Sequence, residues 1–445
     1  MPLGRRHVWV VFVASLGQLI GTGVATLAGV IIPMINLLSN PELSSEMQGI
    51  LGAMDLIGIA IGSVLFGKLT DKYGYIFFFR LCPAIVLVAS VVSALIPNIA
   101  VLIICLFLIG FGIGGEYSLD SNYISELMPE KWKSFMVGLA KAASAFGNIL
   151  VAGICYLIIY HFKKASDWPD LMWISAVIAA IMLLTRIWFY QSPKWLEQHG
   201  RAAEAEIMIK KFLGPDAELS PVNPKLNTNK DTSTQSTSNF FTSNWKQIIL
   251  TGIPWACEGL GVYGIGVFLP ILVLSLGIEN TNKTLIPIMH VASSVEITFF
   301  ISCIILPGFL LGLWLIRRKE NLCSMQTWGF LLCAASLIIL LLASQYHWPK
   351  FISIIAFMAF ELFLNMGPHL VTYVLPPKVY PVATRGLGSG LAASIGKIGA
   401  VLGVFFIPVL LHNGGTSLVL IVSAVVMGIG AAVTFFFRKS ATYSS

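Results

Sequence analysis

Eight ionisable side chains stand within otherwise apolar stretches of the sequence, where a charge is costly. They are Asp55, Glu116, Asp120, Lys141, Glu258, Glu296, Glu361 and Lys397. Insertion scales assign ~2.5–3.5 kcal/mol to such a residue at the centre of a membrane helix, so eight facing lipid would cost on the order of 20–28 kcal/mol. That exceeds the net stability of a domain. We therefore expect most of them to be paired, hydrated or near a helix end, and to carry protons or bind solutes.

Glu116 and Asp120 are the leading candidates for carrying protons. They are four residues apart and so share one face of a predicted helix. Asp120 and Lys141 fall at similar depths, about 10 Å from the loop between two antiparallel helices, which predicts an ion pair between them in at least one state. Glu116 lies about 6 Å deeper, where it can take up a proton. The alternative is a static Asp120–Lys141 pair beside a passively hydrated Glu116.

Lys397 and Glu258 are the corresponding candidates in the second half of the sequence. An ammonium group in the apolar, glycine-rich surroundings of Lys397 needs an anion. That anion is either a bound solute or a protein carboxylate, such as Glu258 or Glu361. Glu258 is the third candidate for proton coupling, because it lies close to Trp255 in a stretch interrupted by proline and several glycines.

The composition of the chain requires a membrane to position these residues. Of 445 residues, 56% are hydrophobic and 11% are charged, against roughly 25% charged in soluble domains. A span needs ~20 mostly apolar residues. Such runs fall near 8–36, 47–68, 76–96, 98–124, 134–160, 168–190, 246–276, 288–315, 322–344, 349–374, 386–411 and 415–437. The predicted fold class is an all-α membrane protein with twelve transmembrane helices in two six-helix bundles.

A polar central stretch separates two halves that look like copies. We expect an N-terminal bundle over 1–190, a linker over 191–245 and a C-terminal bundle over 246–445. The linker should begin with an amphipathic helix, Lys194 to Leu213, and continue as a flexible segment from Asn223 to Asn244. A shift of 252 residues aligns Gly115 with Gly367, Pro129 with Pro381, Lys133 with Arg385, Gly138 with Gly390 and Gly147 with Gly399. Internal repeats of this kind build transporters, with the solute site between the halves.

The distribution of Lys and Arg predicts the orientation. With the N-terminus inside, only Lys163, Lys164, Lys283 and Lys350 of the 28 basic residues fall in outside loops. The positive-inside rule therefore places both termini in the cytoplasm, and we expect the plasma (inner) membrane. The first apolar run is longer than a signal-peptide core and is expected to be retained. The seven cysteines show no metal-ligand or redox spacing.

Short motifs carry a resemblance to the major facilitator superfamily. Residues 67–74, Gly-Lys-Leu-Thr-Asp-Lys-Tyr-Gly, resemble the loop signature of that superfamily between helices 2 and 3, and residues 192–196, Ser-Pro-Lys-Trp-Leu, resemble its sugar-porter branch. The resemblance implies the twelve-helix fold and a gate in which Asp71 meets a helix end or a basic partner when the inside is closed. The gate residues it implies are Gly67, Asp71, Lys72, Gly74, Glu126, Lys133 and Arg385.

A closer resemblance is to the phosphate:proton symporters of that superfamily. Residues 112–117 are similar to their helix 4 motif, the spacing of Trp255 and Tyr263 to helix 7, residues 365–368 to helix 10, and residues 396–400 to helix 11. This implies substrate contact by Tyr117, Trp255, Tyr263, Asn365 and Lys397, to which the charge argument adds Lys141, and proton carriage by Glu116. The sequence departs from the pattern where residues 21–26 lack acids, Gly259 replaces an acid and Ser144 replaces glutamine.

The predicted function is secondary active transport of a small polar solute, with an anion favoured, by alternating access and coupled to protons. A phosphate-like anion fits the resemblance. A sugar, organic-acid or other metabolite carrier remains open, as does a non-transporting sensor on the same fold. No phosphate-binding loop or metal-spaced histidine cluster stands in the sequence, so we expect no enzyme activity, metal, cofactor or nucleic-acid partner. The expected partners are a solute, H+ and the lipid bilayer, and the expected state is a monomer.

Overall fold

The computed structural model describes residues 4–40, 43–213, 237–266, 287–319, 321–381 and 384–441, and its long elements there are helices. They are α1 (Arg5–Leu38), α2 (Ser45–Tyr73), α3 (Tyr75–Leu95), α4 (Ile99–Leu127), α5 (Lys133–Phe162), α6 (Met172–Thr185), α7 (Trp245–Gly259), α8 (Pro287–Lys319), α9 (Leu322–Gln345) and α10 (Lys350–Met366). The helix Arg385–Phe437 supplies α11 and α12, before and after a kink where Gly415 has a φ of 63°. Helical turns extend α7 over Leu260–Ile265 and α10 over Pro368–Val374.

These helices are long and apolar enough to cross a membrane. Among the described residues, eleven candidate spans meet that criterion, and the 33-residue helix α8 adds a twelfth. Large side chains such as Phe77, Trp328 and Phe436 are exposed on their outer faces, as expected where lipid is the solvent. The twelve predicted spans are thus confirmed, although the end of the seventh, to 276, lies outside the described residues.

The central stretch differs from the prediction in two places. The expected amphipathic helix is two helices, Pro193–Gln198 and Ala202–Leu213, separated at Gly200, which has a φ of 73°. Part of the segment expected to be flexible forms the helix Thr237–Ser243, while its residues 223–236 lie outside the described part. The first difference is local, because a single left-handed glycine ends a helix that composition alone would continue.

Paired glycines set the internal packing of both bundles. Gly58 and Gly62 on α2 lie against the backbone of α4, and Gly308 and Gly312 on α8 lie against the backbone of α10. In each pair the glycines are four residues apart, so both face the same neighbour and allow close approach of the helices. The same device therefore builds equivalent helix pairs in the two halves.

The two bundles are related as copies. Gly147 on α5 packs against the backbone of α1, and Gly399 on α11 packs against the backbone of α7. Across the interface, α2 packs on α11 while α8 packs on α5. The packing of equivalent helices in the two halves therefore agrees with the 252-residue repeat. The boundaries at residues 190 and 245 remain a prediction for how the chain divides.

Both described ends of the chain lie on one face of the protein, as an even number of spans requires. Trp245 at the start of α7 contacts Phe437 at the end of α12, with ring centroids 6.1 Å apart. We call this the terminal face. It also carries the α2–α3 turn, the α4–α5 turn and the segment that joins the bundles.

Candidate functional site

Three side chains from α4, α7 and α11 meet between the bundles. The Tyr117 hydroxyl lies 3.1 Å from the Tyr263 hydroxyl, and Lys397 Nζ donates to both, at 3.3 Å and 2.5 Å respectively. Tyr263 stands in the π-helical turn Leu260–Ile265, and turns of this kind are frequent at functional sites. All three side chains are buried. A cation from one bundle is thus held by phenols from both.

Lys141 on α5 brings a second buried cation to the same place. Its Nζ lies 3.5 Å from the Gln18 side-chain oxygen and 5.2 Å from the centre of the Tyr117 ring, while Lys397 Nζ lies 4.6 Å from that ring. Gln18 in turn donates to the Tyr373 hydroxyl on α10, at 3.1 Å. Two ammonium groups, one from each bundle, therefore share the electron-rich ring of Tyr117.

Aromatic rings and two carboxylates complete this central site. The centroid of the Trp255 ring lies 6.3 Å from that of Tyr117 and 6.5 Å from that of Tyr373. Lys397 interacts electrostatically with Glu258 and Asp55. In the described part of the chain Lys397 forms no ion pair with Glu258 or Glu361, and its hydrogen bonds there go to tyrosines. The charges of these lysines are therefore compensated by several nearby carboxylates and not by a direct ion pair.

Glu116 and Asp120 form a cluster with Arg186, which follows α6. Arg186 lies 2.5 Å from Glu116 and 3.3 Å from Asp120, and the exposed fraction of each of the three side chains is 1% or less. The predicted Asp120–Lys141 pair is absent from this state, because Arg186 occupies the position of the partner. Two carboxyl groups against one guanidinium leave one excess negative charge, which a single shared proton would neutralise.

Glycine on α1 makes room for this cluster. A Cβ at Gly17 would overlap the carboxylates of both Glu116 and Asp120, so α1 can pack against α4 only with hydrogen at this position. The family pattern has acids further along this helix, where residues 21–26 of this sequence have none. The structure instead uses α1 to cover the acids of α4.

A second polar row lies within the C-terminal bundle. The amide nitrogen of Asn365 donates to the backbone oxygen of Glu361 at 2.8 Å and to its carboxylate at 3.3 Å. The amide oxygen lies 2.9 Å from His369 Nδ1, and His369 Nε2 lies 3.7 Å from Glu258. Asn365, predicted to contact substrate, thus reaches the central site only through His369 and Glu258.

Asp71 closes the terminal face between the bundles. Its carboxylate accepts hydrogen bonds from the backbone nitrogens of Gly386 and Leu387, at 3.0 Å and 2.9 Å. These are unpaired donors in the first turn of α11, where the helix dipole also favours an anion. Gly67 packs against the backbone of Gly386, and Arg385 beside them is buried. Asp71 therefore meets a helix end, one of the two partners expected for it.

The other predicted gate residues divide into packed and exposed ones. Glu126 accepts hydrogen bonds from Tyr75 at 2.7 Å and from Ser192 at 2.5 Å, which ties the segment after α6 to the α2–α3 turn. Lys133 is buried at the start of α5, and Gly74 forms the turn with a φ of 84°. Lys72 is exposed, with its Nζ 5.0 Å from the centre of the Tyr73 ring. Among the described residues, it forms no hydrogen bond or ion pair across the bundles.

Sequence reasoning missed four residues of these clusters: Gln18, Arg186, His369 and Tyr373. Arg186 had a usable signal, since it is a charge at the end of an apolar run. His369 follows the Asn-x-Gly-Pro motif directly and lies one helical turn after Asn365, which also could have pointed to it. Gln18 and Tyr373 had no signal, because a polar or aromatic side chain in a membrane helix is ordinary.

Comparisons with known proteins agree with this architecture. Residues 9–442 match the model of the family described as sugar (and other) transporter. The inner membrane metabolite transport protein YgcS of Escherichia coli (strain K12) is 25% identical over 443 residues, which cover 98% of this chain and 92% of that protein. The niacin transporter NiaP of Acinetobacter baylyi is 23% identical over 445 residues, covering 97% of this chain and 94% of that protein.

Solved structures show the same fold. The proton:xylose symporter XylE bound to 6-bromo-6-deoxy-D-glucose matches with a TM-score of 0.78 and 18% identity, over 98% of this chain and 96% of that one. The family model matches nearly the whole chain, and this match identifies the family of the protein. The chain belongs to the sugar (and other) transporter family of the major facilitator superfamily, whose members are transporters rather than enzymes.

Proposed function

We propose that this transporter moves a small anionic solute together with protons, by alternating access. The observation that carries the proposal is the convergence of two buried lysines, Lys141 and Lys397, on Tyr117 between the bundles. A buried ammonium needs a counter-charge. Glu258 interacts electrostatically with both lysines, so in its ionised form it serves as their counter-charge. A solute anion takes over this function when it binds.

The charge balance explains why a proton should accompany the anion. With Glu258 and Asp55 ionised, the two lysines are compensated and an added anion brings excess negative charge. Protonation of one carboxyl group leaves one positive charge for the solute. Alternating access then couples the two species if only the fully loaded or the fully empty carrier interconverts readily.

The cluster of Glu116, Asp120 and Arg186 is the proposed proton carrier on the N-terminal side. Its three side chains are excluded from solvent, and the carboxyl groups lie within hydrogen-bonding reach of each other. A shared proton makes the cluster neutral. Its loss leaves a net charge next to α1 and α5, which move relative to the other bundle during transport.

The names of some relatives are compatible with an anion, and a neutral solute is the second candidate. Their names include a niacin transporter and a repressible high-affinity phosphate permease of Neurospora crassa. The xylose symporter with the same fold favours a sugar instead, and the hydroxyl groups of Tyr117 and Tyr263 could bind one. A non-transporting sensor on the same fold is the third candidate.

The orientation and the assembly belong to the same proposal. The terminal face carries most of the basic residues and is therefore proposed to be cytoplasmic in the plasma (inner) membrane. Asp71 then closes the cytoplasmic side in the described state. We propose that a single chain is the functional unit, since both bundles of the central site come from it.

Uptake into vesicles tests the proposal. Purified protein would be reconstituted and offered niacin, phosphate or xylose, with and without a pH gradient. We expect accumulation of an anion driven by the gradient. Glu116→Gln should abolish that accumulation while leaving solute exchange partly intact, since exchange need not release the proton. Glu296→Gln, on the exposed face of α8, is the matched control and should behave as wild type.

Three outcomes would each contradict a part of the proposal. Full gradient-driven accumulation in Glu116→Gln would exclude that residue as proton carrier. Accumulation of xylose but of neither anion would favour the neutral solute. If no solute moves in either direction while binding is measurable, the sensor becomes the better interpretation.

A further inference from the structure

Four polar side chains form a continuous row inside the C-terminal bundle. From the central site outward they are Glu258, His369, Asn365 and Glu361. All four are buried, and neither carboxylate oxygen of Glu258 has a hydrogen-bond partner in the described part of the chain. A buried carboxylate without a hydrogen-bond donor is costly, so the protonation state of these side chains needs an explanation.

Hydrogen bonding determines which nitrogen of His369 carries a proton. The backbone oxygen of Glu361 can only accept, so the Asn365 group that contacts it must be the amide nitrogen. The amide oxygen of Asn365 therefore faces His369 Nδ1, and Nδ1 must donate to it at 2.9 Å. In neutral imidazole this leaves Nε2 as an unprotonated acceptor, and Nε2 is the atom that faces Glu258, at 3.7 Å.

Two acceptors cannot face each other in a buried site without a proton between them. We propose that Glu258 and His369 share one exchangeable proton and form a second proton-binding site, separate from Glu116 and Asp120. When Glu258 Oε1 holds the proton, its O–H faces His369 Nε2, and a small side-chain shift from the observed 3.7 Å would bring the two atoms within hydrogen-bonding distance. When the proton transfers, the O–H bond breaks and an N–H bond forms, giving a carboxylate and an imidazolium whose Nδ1–H still donates to Asn365.

The surrounding charges decide which form dominates. Lys141 and Lys397 both act electrostatically on His369, and on its other side stands the ring of Phe309 from α8, with centroids 5.3 Å apart. These neighbours disfavour an imidazolium, so a proton held by the pair resides on Glu258 with His369 as its acceptor. The same two lysines favour the ionised form of Glu258, so this proton can be released. His369 is thus a positioning residue that holds Glu258 in its protonated form.

The consequence for transport rests on the proposed function. When Glu258 is protonated, it no longer compensates the charge of the two lysines, and a solute anion can bind to them. When Glu258 is ionised, it again serves as their counter-charge. The row therefore links proton binding in the C-terminal bundle to anion binding between the bundles. Glu116 and Asp120 perform the corresponding step in the N-terminal bundle.

Infrared difference spectroscopy of the purified full-length protein tests the pair without any solute. Spectra between about pH 5 and 8, the range in which a histidine pair is expected to titrate, should contain one protonated-carboxyl band that is missing in Glu258→Gln. In His369→Gln, which keeps a side chain of similar reach but binds no proton, that band should titrate at a midpoint displaced by about one pH unit or more, a tenfold change in proton affinity. His161→Gln, at the exposed end of α5, should leave it unchanged.

The competing interpretation is that His369 only braces Asn365. It predicts identical titration of the band in wild type and His369→Gln, and that result would overturn the proposal, as would a Glu258→Gln spectrum that retains every band. His369→Asn serves if the glutamine variant does not fold. Because no solute is present, an intact titration combined with absent uptake would refute the transport proposal alone.

Discussion

Replacing Arg186 by methionine should destabilise the protein strongly and in a pH-dependent way. Methionine keeps the length of the side chain but removes the guanidinium that contacts Glu116 at 2.5 Å and Asp120 at 3.3 Å. Unit charges about 4 Å apart interact by about 4 kcal/mol at an effective dielectric constant of ~20. Removing one partner of a buried ion pair costs ~3–5 kcal/mol, because a charge stays buried without compensation.

The sign of the pH dependence follows from the carboxyl groups that remain. Near pH 8, Glu116 and Asp120 repel each other in the variant, and the loss of stability is greatest. As the pH falls they take up protons, the repulsion disappears, and the difference from wild type should shrink. Wild type has no such uncompensated pair, so its own stability should change less over the same interval.

Denaturant unfolding of purified protein in one detergent, at pH 8 and pH 5, measures both effects. Arg201→Met is the matched control, because Arg201 also pairs with a glutamate, at 2.7 Å, but with half-exposed side chains. It should cause little change at either pH, as surface ion pairs contribute little. Equal unfolding of Arg186→Met and wild type at pH 8 would refute the reasoning, as would a loss of stability that grows toward pH 5.

Three further substitutions test the packing and the central site. Gly17→Ala should abolish proton-driven accumulation, since its Cβ would displace both acids, whereas Gly29→Ala meets open space and should transport normally; equal activity would contradict this. Asp71→Asn should weaken a charge–dipole contact that contributes up to ~2 kcal/mol. It should therefore raise the labelling, from the terminal face, of a cysteine introduced at the central site, whereas Lys72→Gln should not. Lys397→Met should weaken anion binding about 10- to 100-fold, as expected for loss of a charged hydrogen bond; unchanged affinity in calorimetry would exclude the lysine from the site.

Much of the fold could be predicted because the bilayer simplifies the problem. Span length and hydropathy locate helices wherever an apolar run must satisfy its own backbone, and the repeat at a spacing of 252 residues indicated which helices are equivalent. The break between the eleventh and twelfth spans, at Gly415, was predicted, whereas the break at Gly200 was not, since composition does not report a positive φ.

The candidate site was predicted only in part. Tyr117, Tyr263 and Lys397 do converge, because α4, α7 and α11 all border the interface between the bundles. Asp120 pairs with Arg186 in this state, a partner that the sequence did not indicate, and its pairing with Lys141 in another state stays a prediction. Matched depth on neighbouring helices identifies a possible partner, but it does not give the rotation of each helix about its axis. In this structure Lys141 faces Gln18, and Asp120 pairs with Arg186.

The sequence by itself determined the class of protein, the number of spans, the repeat and the presence of charges that must avoid lipid. Each of these follows from local composition or from a pattern along the chain. Only the tertiary structure decided which charges meet. Arg186 is distant in sequence from Glu116, and His369 from Glu258, so their contacts arise from packing of whole helices. Burial then gives those contacts their strength, because a low-dielectric interior increases both the stabilisation from a pair of charges and the cost of an unpaired charge.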